Sequence, residues 1–229
     1  MMKKLIAIFV VLSLVSCGKE VPKTEIKKEK VPETKVWVSK NQKFLDKFKT
    51  IDFDTLKVFS SDDVYDDKIF EFRGKQLDVN DVKLFPKEVR LIDIDKVDAY
   101  SVYKFDIDKN YIGLIIRTPS EYWSSSIKLF IYDKNKEMVT NYEELGESIG
   151  DAGYHMDISS WIIKNGNSFK IFEWIYEYYD NSVEEEEPKT PNYKENHYFL
   201  LQLNNGKFDT ISKNNKQLEK QFSKLLRKK

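Results

Sequence analysis

Apolar and polar positions alternate most clearly in the middle of the chain. Val102–Ile107 and Tyr111–Thr118 are β-rich runs separated by Asp-Lys-Asn, and Ile127–Tyr132 runs into a second Asp-Lys-Asn before Met138 and Val139. Turn residues set between β-branched and aromatic runs predict two antiparallel hairpins. "VYKFDIDKN", starting at 102, and "IKLFIYDKN", starting at 127, share a Phe and the closing triplet, as the repeats of a propeller or solenoid do. No third faithful copy follows. "WIIKNGNSFKIFEWIYEYY" and "HYFLLQLNNGKFDTI" repeat only the order strand, Asn/Gly turn, strand. The pattern favours an antiparallel meander, with an incomplete propeller as the alternative.

The flanks carry a different period. In "SKNQKFLDKFKTIDF" Phe44, Leu45 and Phe48 share one helical face behind Ser39, a capping residue, which predicts a short helix near 40–49. "KIFEFRGKQLD" reads as a strand or hairpin turning at Gly74, and "DVNDVKLFP" as one helical turn ending before Pro86. At the other end "NNKQLEKQFSKLLRKK" places Leu218, Phe222, Leu225 and Leu226 on one stripe among lysines, predicting a helix packed on the sheet. The expected class is α+β, mainly β: an antiparallel meander, sandwich-like or partial-propeller-like, with a short N-terminal helix and a C-terminal amphipathic helix.

The first residues have another character. Lys3 and Lys4 precede an apolar run from Leu5 to Val15, broken only by Ser13, and Ser16 and Cys17 close it. The run is about 12 residues, against roughly 20 for a bilayer-spanning helix, which is the layout of a secretory signal. Leu14, Val15, Ser16 and Cys17 resemble the lipobox of bacterial lipoproteins. That resemblance implies cleavage before Cys17 and diacylglycerol on its thiol, hence a membrane anchor at Cys17. With further acylation this residue alone supplies the two membrane signals that stable anchoring needs. Because Cys17 is the only cysteine, the processed chain has no disulfide, thiolate metal site or thiol nucleophile.

Residues 18–35, "GKEVPKTEIKKEKVPETK", mix Lys, Glu and Pro with few apolar groups. Such a segment buries too little surface to offset its ordering entropy and reads as a tether, with a reach on the order of 25 Å. The expected organisation is 1–16 signal peptide, 17–36 lipidated cysteine and tether, and 37–229 one β-rich domain. Processing takes Lys3 and Lys4 from 38 basic side chains and leaves all 38 acidic ones. A near-neutral chain argues against nucleic acid as a partner.

Candidate chemistry is sparse. "DIDKNYIGLI" starts like a calcium loop at Asp106, but Tyr111 stands where an EF-hand needs Gly and Arg117 where it needs Glu, so a hairpin turn is expected instead. Asp62, Asp63, Asp66 and Asp67, and Glu184 to Glu187, read as solvated loops. In "GDAGYHMD" the glycines predict a tight turn, and Asp151, His155 and Asp157 are the only residues that resemble a general-base site, with Ser159 and Ser160 nearby. No GxSxG elbow accompanies them. Tyr122 and Trp123 in "EYWSSS" read as an exposed loop that offers a ligand platform, whereas Trp161, Trp174, Tyr176 and Tyr178 lie in strand patterns expected to pack mostly in the core. No metal or cofactor is expected.

As a whole the chain is similar in style to β-rich envelope lipoproteins of the Bacteroidota, which implies an outer-membrane location in a Gram-negative envelope. The expected function is a non-enzymatic binding or structural module, with an envelope protein or a glycan as partner. The alternatives are an immunity or inhibitor protein of the envelope and a hydrolase.

Overall fold

The computed structural model describes residues 37–60, 71–93, 95–120, 126–166, 168–183 and 191–227. Cys17, the tether, Tyr122, Trp123 and both acidic runs lie outside them. The compact unit begins at Val38.

Its elements in chain order are α1 (Gln42–Leu45), β1 (Lys49–Thr50), β2 (Thr55–Phe59), β3 (Lys75–Gln76), α2 (Val79–Val82), β4 (Ile92–Asp93), β5 (Lys96–Val97), β6 (Tyr100–Asp106), β7 (Tyr111–Thr118), β8 (Ser126–Asp133), β9 (Met138–Asp151), β10 (Tyr154–Asn165), β11 (Ser168–Tyr179), β12 (Tyr193–Asn204), β13 (Lys207–Ser212), α3 (Asn215–Gln221) and α4 (Ser223–Leu226). From β6 to β13 each strand pairs antiparallel with the next, a meander, and the sheet does not close into a barrel. The two Asp-Lys-Asn hairpins are consecutive limbs of this sheet rather than propeller blades. The asparagine-glycine signal after β12 makes a two-residue turn in which Asn205 and Gly206 both take positive φ, the twist a tight hairpin requires.

Three apolar clusters explain the burial pattern. Ile115, Ile127, Leu129 and Ile131 of β7 and β8 meet Ile162, Phe169, Ile171 and Leu201 of β10 to β12, so the sheet folds over and packs on itself. The opposite side of β7 and β8 carries Leu114, Ile116, Phe130 and Tyr132, covered by Phe44, Leu45, Phe48, Leu77, Phe85 and Leu91 from the N-terminal segments. With both faces covered, β7 and β8 read as nearly continuous apolar runs. On the outer side of β10 to β12, Trp161, Phe172, Tyr198 and Leu200 receive Leu218, with Phe222, Leu225 and Leu226 packed beside it.

β9 is the hinge of this arrangement. Its first part pairs with β8 through two bulges, and Glu147–Asp151 then pair with β10. Beyond that point β2 takes over the same edge of β10, from Ser159 to Ile163. A Cβ on Gly146 would sit 2.7 Å from the Phe59 backbone carbon, so the changeover from β9 to β2 needs a glycine there.

The predicted helix near 40–49 is one turn, α1, with Asn41 rather than Ser39 at its N-cap. The Ser39 hydroxyl instead accepts from the Asn41 amide at 3.0 Å and bonds the Tyr132 hydroxyl at 2.9 Å. Of the strand or hairpin predicted around Gly74, residues 68–70 lie outside the described residues, and past Gly74, which has positive φ, β3 holds two residues. α2 forms as expected, inside a capping box made by Asp78 and Asp81.

Candidate binding face

The β9–β10 connection is Ala152-Gly153, both at positive φ, which is the tight turn that "GDAGYHMD" predicts. Its register separates the residues nominated as a general-base site. Asp151 stands opposite Tyr154, and Gly150 opposite His155. Adjacent positions on a strand point to opposite faces, so Asp151 lies on the inner face of the sheet and His155 on the outer one.

His155 finds Asp157 instead, two residues along the same face. The imidazole Nε2 lies 2.9 Å from Asp157 Oδ2, and the Ser148 hydroxyl donates to Asp157 Oδ1 at 2.7 Å. The carboxylate therefore sits between serine and histidine. A serine nucleophile must give its proton to the imidazole, and here both groups spend their bonds on the acid. The arrangement is a polar row centred on a carboxylate, without the serine–imidazole bond that activates a nucleophile. Ser160 faces the other side, and Ser159 stands opposite Trp174.

On β11 the same outer face carries Trp174, Tyr176 and Tyr178. All three are half-buried, whereas Trp161 is only 3% exposed. Trp174 packs beside the Trp161 cluster as expected, while Tyr176 and Tyr178 depart from the expected core packing. The C-terminal helices cover Phe172 and reach Trp174, and Tyr176 and Tyr178 lie outside that cluster. β11 runs 12 residues and extends beyond the part of the sheet that the helices cap.

Successive aromatic residues on one strand face repeat at about 6.6 Å, and the Trp174 and Tyr176 ring centroids are 6.4 Å apart. Each ring has a polar neighbour across the sheet. Trp174 stands beside Ser159, Tyr176 between Asp157 and Asn196, and Tyr178 between His155 and Lys194. The indole Nε1 donates to Asn196 Oδ1 at 2.7 Å, fixing the ring, and the Lys194 ammonium lies 5.2 Å from the Tyr178 centroid. Flat apolar faces in a line, bordered by hydrogen-bonding groups, suit a ligand that alternates C–H surface with hydroxyls.

No family model, curated protein or solved structure matches this chain.

Sequence reading placed a ligand platform at Tyr122 and Trp123, outside the described residues, and did not single out the aromatic row on β11. The only available signal was the flanking polarity. Ser148, His155, Asp157, Asn196 and Lys194 are polar positions within strand-forming runs, but strand pairing is needed to see that they border the same rings. The inner face of this part of the sheet is also aromatic. Tyr179 stacks on Tyr193 at 6.0 Å, Tyr154 lies 6.5 Å from Tyr179, and His197 pairs with Glu195 at 3.2 Å.

Proposed function

We propose that this chain is a lipid-anchored, non-enzymatic binding module of the cell envelope, held at the outer membrane through Cys17, and that the outer face of β11 takes a carbohydrate chain. The observation that carries the reading is the row Trp174, Tyr176 and Tyr178, only partly buried and bordered by Asp157, His155, Asn196 and Lys194. The carboxylate-centred bonding of Ser148 and His155 supports a binding role over hydrolysis.

The test uses detergent-solubilised full chain and soluble cell-envelope polysaccharides in affinity electrophoresis. Each stacked ring contributes about 1 kcal/mol, so Tyr176→Ala with Tyr178→Ala is expected to weaken retardation roughly tenfold or more. The melting temperature should stay close to that of the parent. Retardation that survives the double substitution, or its absence in the parent chain, refutes the glycan reading.

The anchor has its own test. Cys17→Ser is expected to leave an unprocessed or soluble chain, because a hydroxyl does not form the thioether to diacylglycerol. Membrane fractionation and mass identical to the parent would refute the lipid anchor.

A further inference from the structure

The C-terminal helical segment has a second face, which the packing of its apolar side turns outward. α3 and α4 run on through Phe222, whose amide donates to the Leu218 carbonyl at 2.9 Å while its own carbonyl accepts from the Leu226 amide at 3.2 Å. At 3.6 residues per turn, Lys216, Lys220, Lys224 and Arg227 fall within about 80° of one another, on the side opposite Leu218. All four are exposed, and so is Lys213 just before the helix. Because Leu218 and Phe222 are packed against the sheet, this basic row points away from the protein along a length of roughly 18 Å.

The row is nearly uniform in sign. From Lys213 to the end of the chain Glu219 is the only acid, and none of Lys216, Lys220, Lys224 and Arg227 forms an ion pair among the described residues. Elsewhere lysines stand against acids: Lys47 against Asp78 at 2.8 Å, Lys128 against Glu144 at 3.0 Å, Lys134 against Asp106 at 2.8 Å and Lys164 against Asp52 at 3.0 Å. A surface built only for solubility interleaves the two signs. Here the cations are gathered on one side of a chain whose 38 basic and 38 acidic side chains balance. The other face of the same sheet carries Glu147, Glu177 and Glu195 toward its open end. Cations on one side and carboxylates on the other orient the domain in the field of a negatively charged surface.

We propose that the row Lys216, Lys220, Lys224 and Arg227 docks the domain on anionic phospholipid headgroups of the membrane that anchors it. The inference rests on the lipid-anchored reading, which already holds the domain close to a bilayer. The apolar side of the helix is spent on the core, so the contact is electrostatic and does not insert. Each Lys or Arg close to an anionic membrane favours the docked state about fivefold, and four together by on the order of several hundredfold. That is weak for a free domain and enough for a tethered one, because the anchor raises the local concentration of headgroups. Docking sets the β11 row, on the same side of the sheet, along the membrane surface.

The experiment reconstitutes the processed, lipidated chain into vesicles of phosphatidylcholine alone or with about one-third phosphatidylglycerol. A brief pulse of an amine-acetylating reagent, read by peptide mass, reports the exposure of each lysine. Lys216, Lys220 and Lys224 are expected to label at least about fivefold more slowly on the anionic vesicles. Lys43, on α1 at the far side of β7 and β8, should label equally on both. In roughly 1 M NaCl, where screening acts within about 3 Å, the protection should vanish. Lys213 reads the variants: Lys216→Glu, Lys220→Glu and Lys224→Glu together should abolish its protection, and the same three positions changed to Arg should keep it. The proposal is overturned if the row labels equally fast on both vesicles, if protection survives high salt, or if the triple Glu variant protects Lys213 like the parent. Equal labelling on chain that both vesicles retain refutes the basic row and leaves the anchor. Loss of the chain from neutral vesicles alone refutes the anchor and leaves the row, and loss from both refutes both.

Discussion

A chain ending at Lys213 is expected to melt far below the full chain or to aggregate. Leu218 is 1% exposed against β10 to β12, and the Phe222 ring stacks on Phe172 at 4.2 Å. Burying Leu218 fully stabilises by about 2 kcal/mol and half-burying Phe222, Leu225 and Leu226 by about 1 kcal/mol each. The total, roughly 5 kcal/mol, is comparable with the whole stability of many domains. Truncation also removes two polar supports of β12, which bulges at Leu200/Leu201 where β13 diverges. There the Asn215 side chain accepts from the Tyr198 amide at 2.9 Å and donates to the Asn196 carbonyl at 2.9 Å, replacing the partner strand. Thermal melting of the truncated chain settles the matter. A melting temperature within a degree or two of the full chain would mean that the stripe serves a membrane or a partner rather than the core.

Stability is expected to fall as pH rises from 5 to 9, because Glu173 is buried, 8% exposed, opposite Ser160. The unfolded chain releases the Glu173 proton near the ordinary value of 4.5, whereas the folded chain holds it up to about 8. Across that window the folded state binds more protons, so each added pH unit costs it up to about 1.4 kcal/mol. At pH 9 the loss from Glu173 is on the order of several kcal/mol. Glu143, held up to about 7 but less buried, contributes less because water screens it. Asp78, held down to about 2 by Lys47, acts with the opposite sign and only in acid. Urea midpoints compared between the parent and Glu173→Gln isolate the effect. The variant should lose most of the slope between pH 6 and 8 and be the more stable protein at pH 9. A parent midpoint that does not change from pH 5 to 9 would show that Glu173 ionises freely in the fold.

The local elements were legible where chemistry is local. The Asp-Lys-Asn turns, the Asn-Gly turn and the β-branched runs between them define β6 to β8 and β10 to β13, because turn conformation and strand preference depend on neighbours a few residues away. The terminal helix was legible for the same reason, from the spacing of Leu218, Phe222, Leu225 and Leu226. β9 was not. Its 14 residues include Glu143, Glu144 and Glu147, and that many acids in one segment resemble a solvated loop until β8 and β10 are seen on either side. β2 was equally hidden, since "TLKVF" becomes a strand only through the edge of β10 that β9 leaves open at Gly146.

The sequence by itself determined a β-rich meander, its turns, its capping helix and the basic, apolar and cysteine pattern at the N-terminus, all written in neighbours along the chain. The tertiary structure decided which face each residue occupies and what covers that face. A period of two assigns residues to two sides but does not say which side is core, so Trp161 and Trp174, equivalent in pattern, end under a helix and at its edge. Register likewise set His155 and Asp151 on opposite faces and brought Ser160 across from Glu173, because pairing between strands distant in sequence depends on how the sheet folds over.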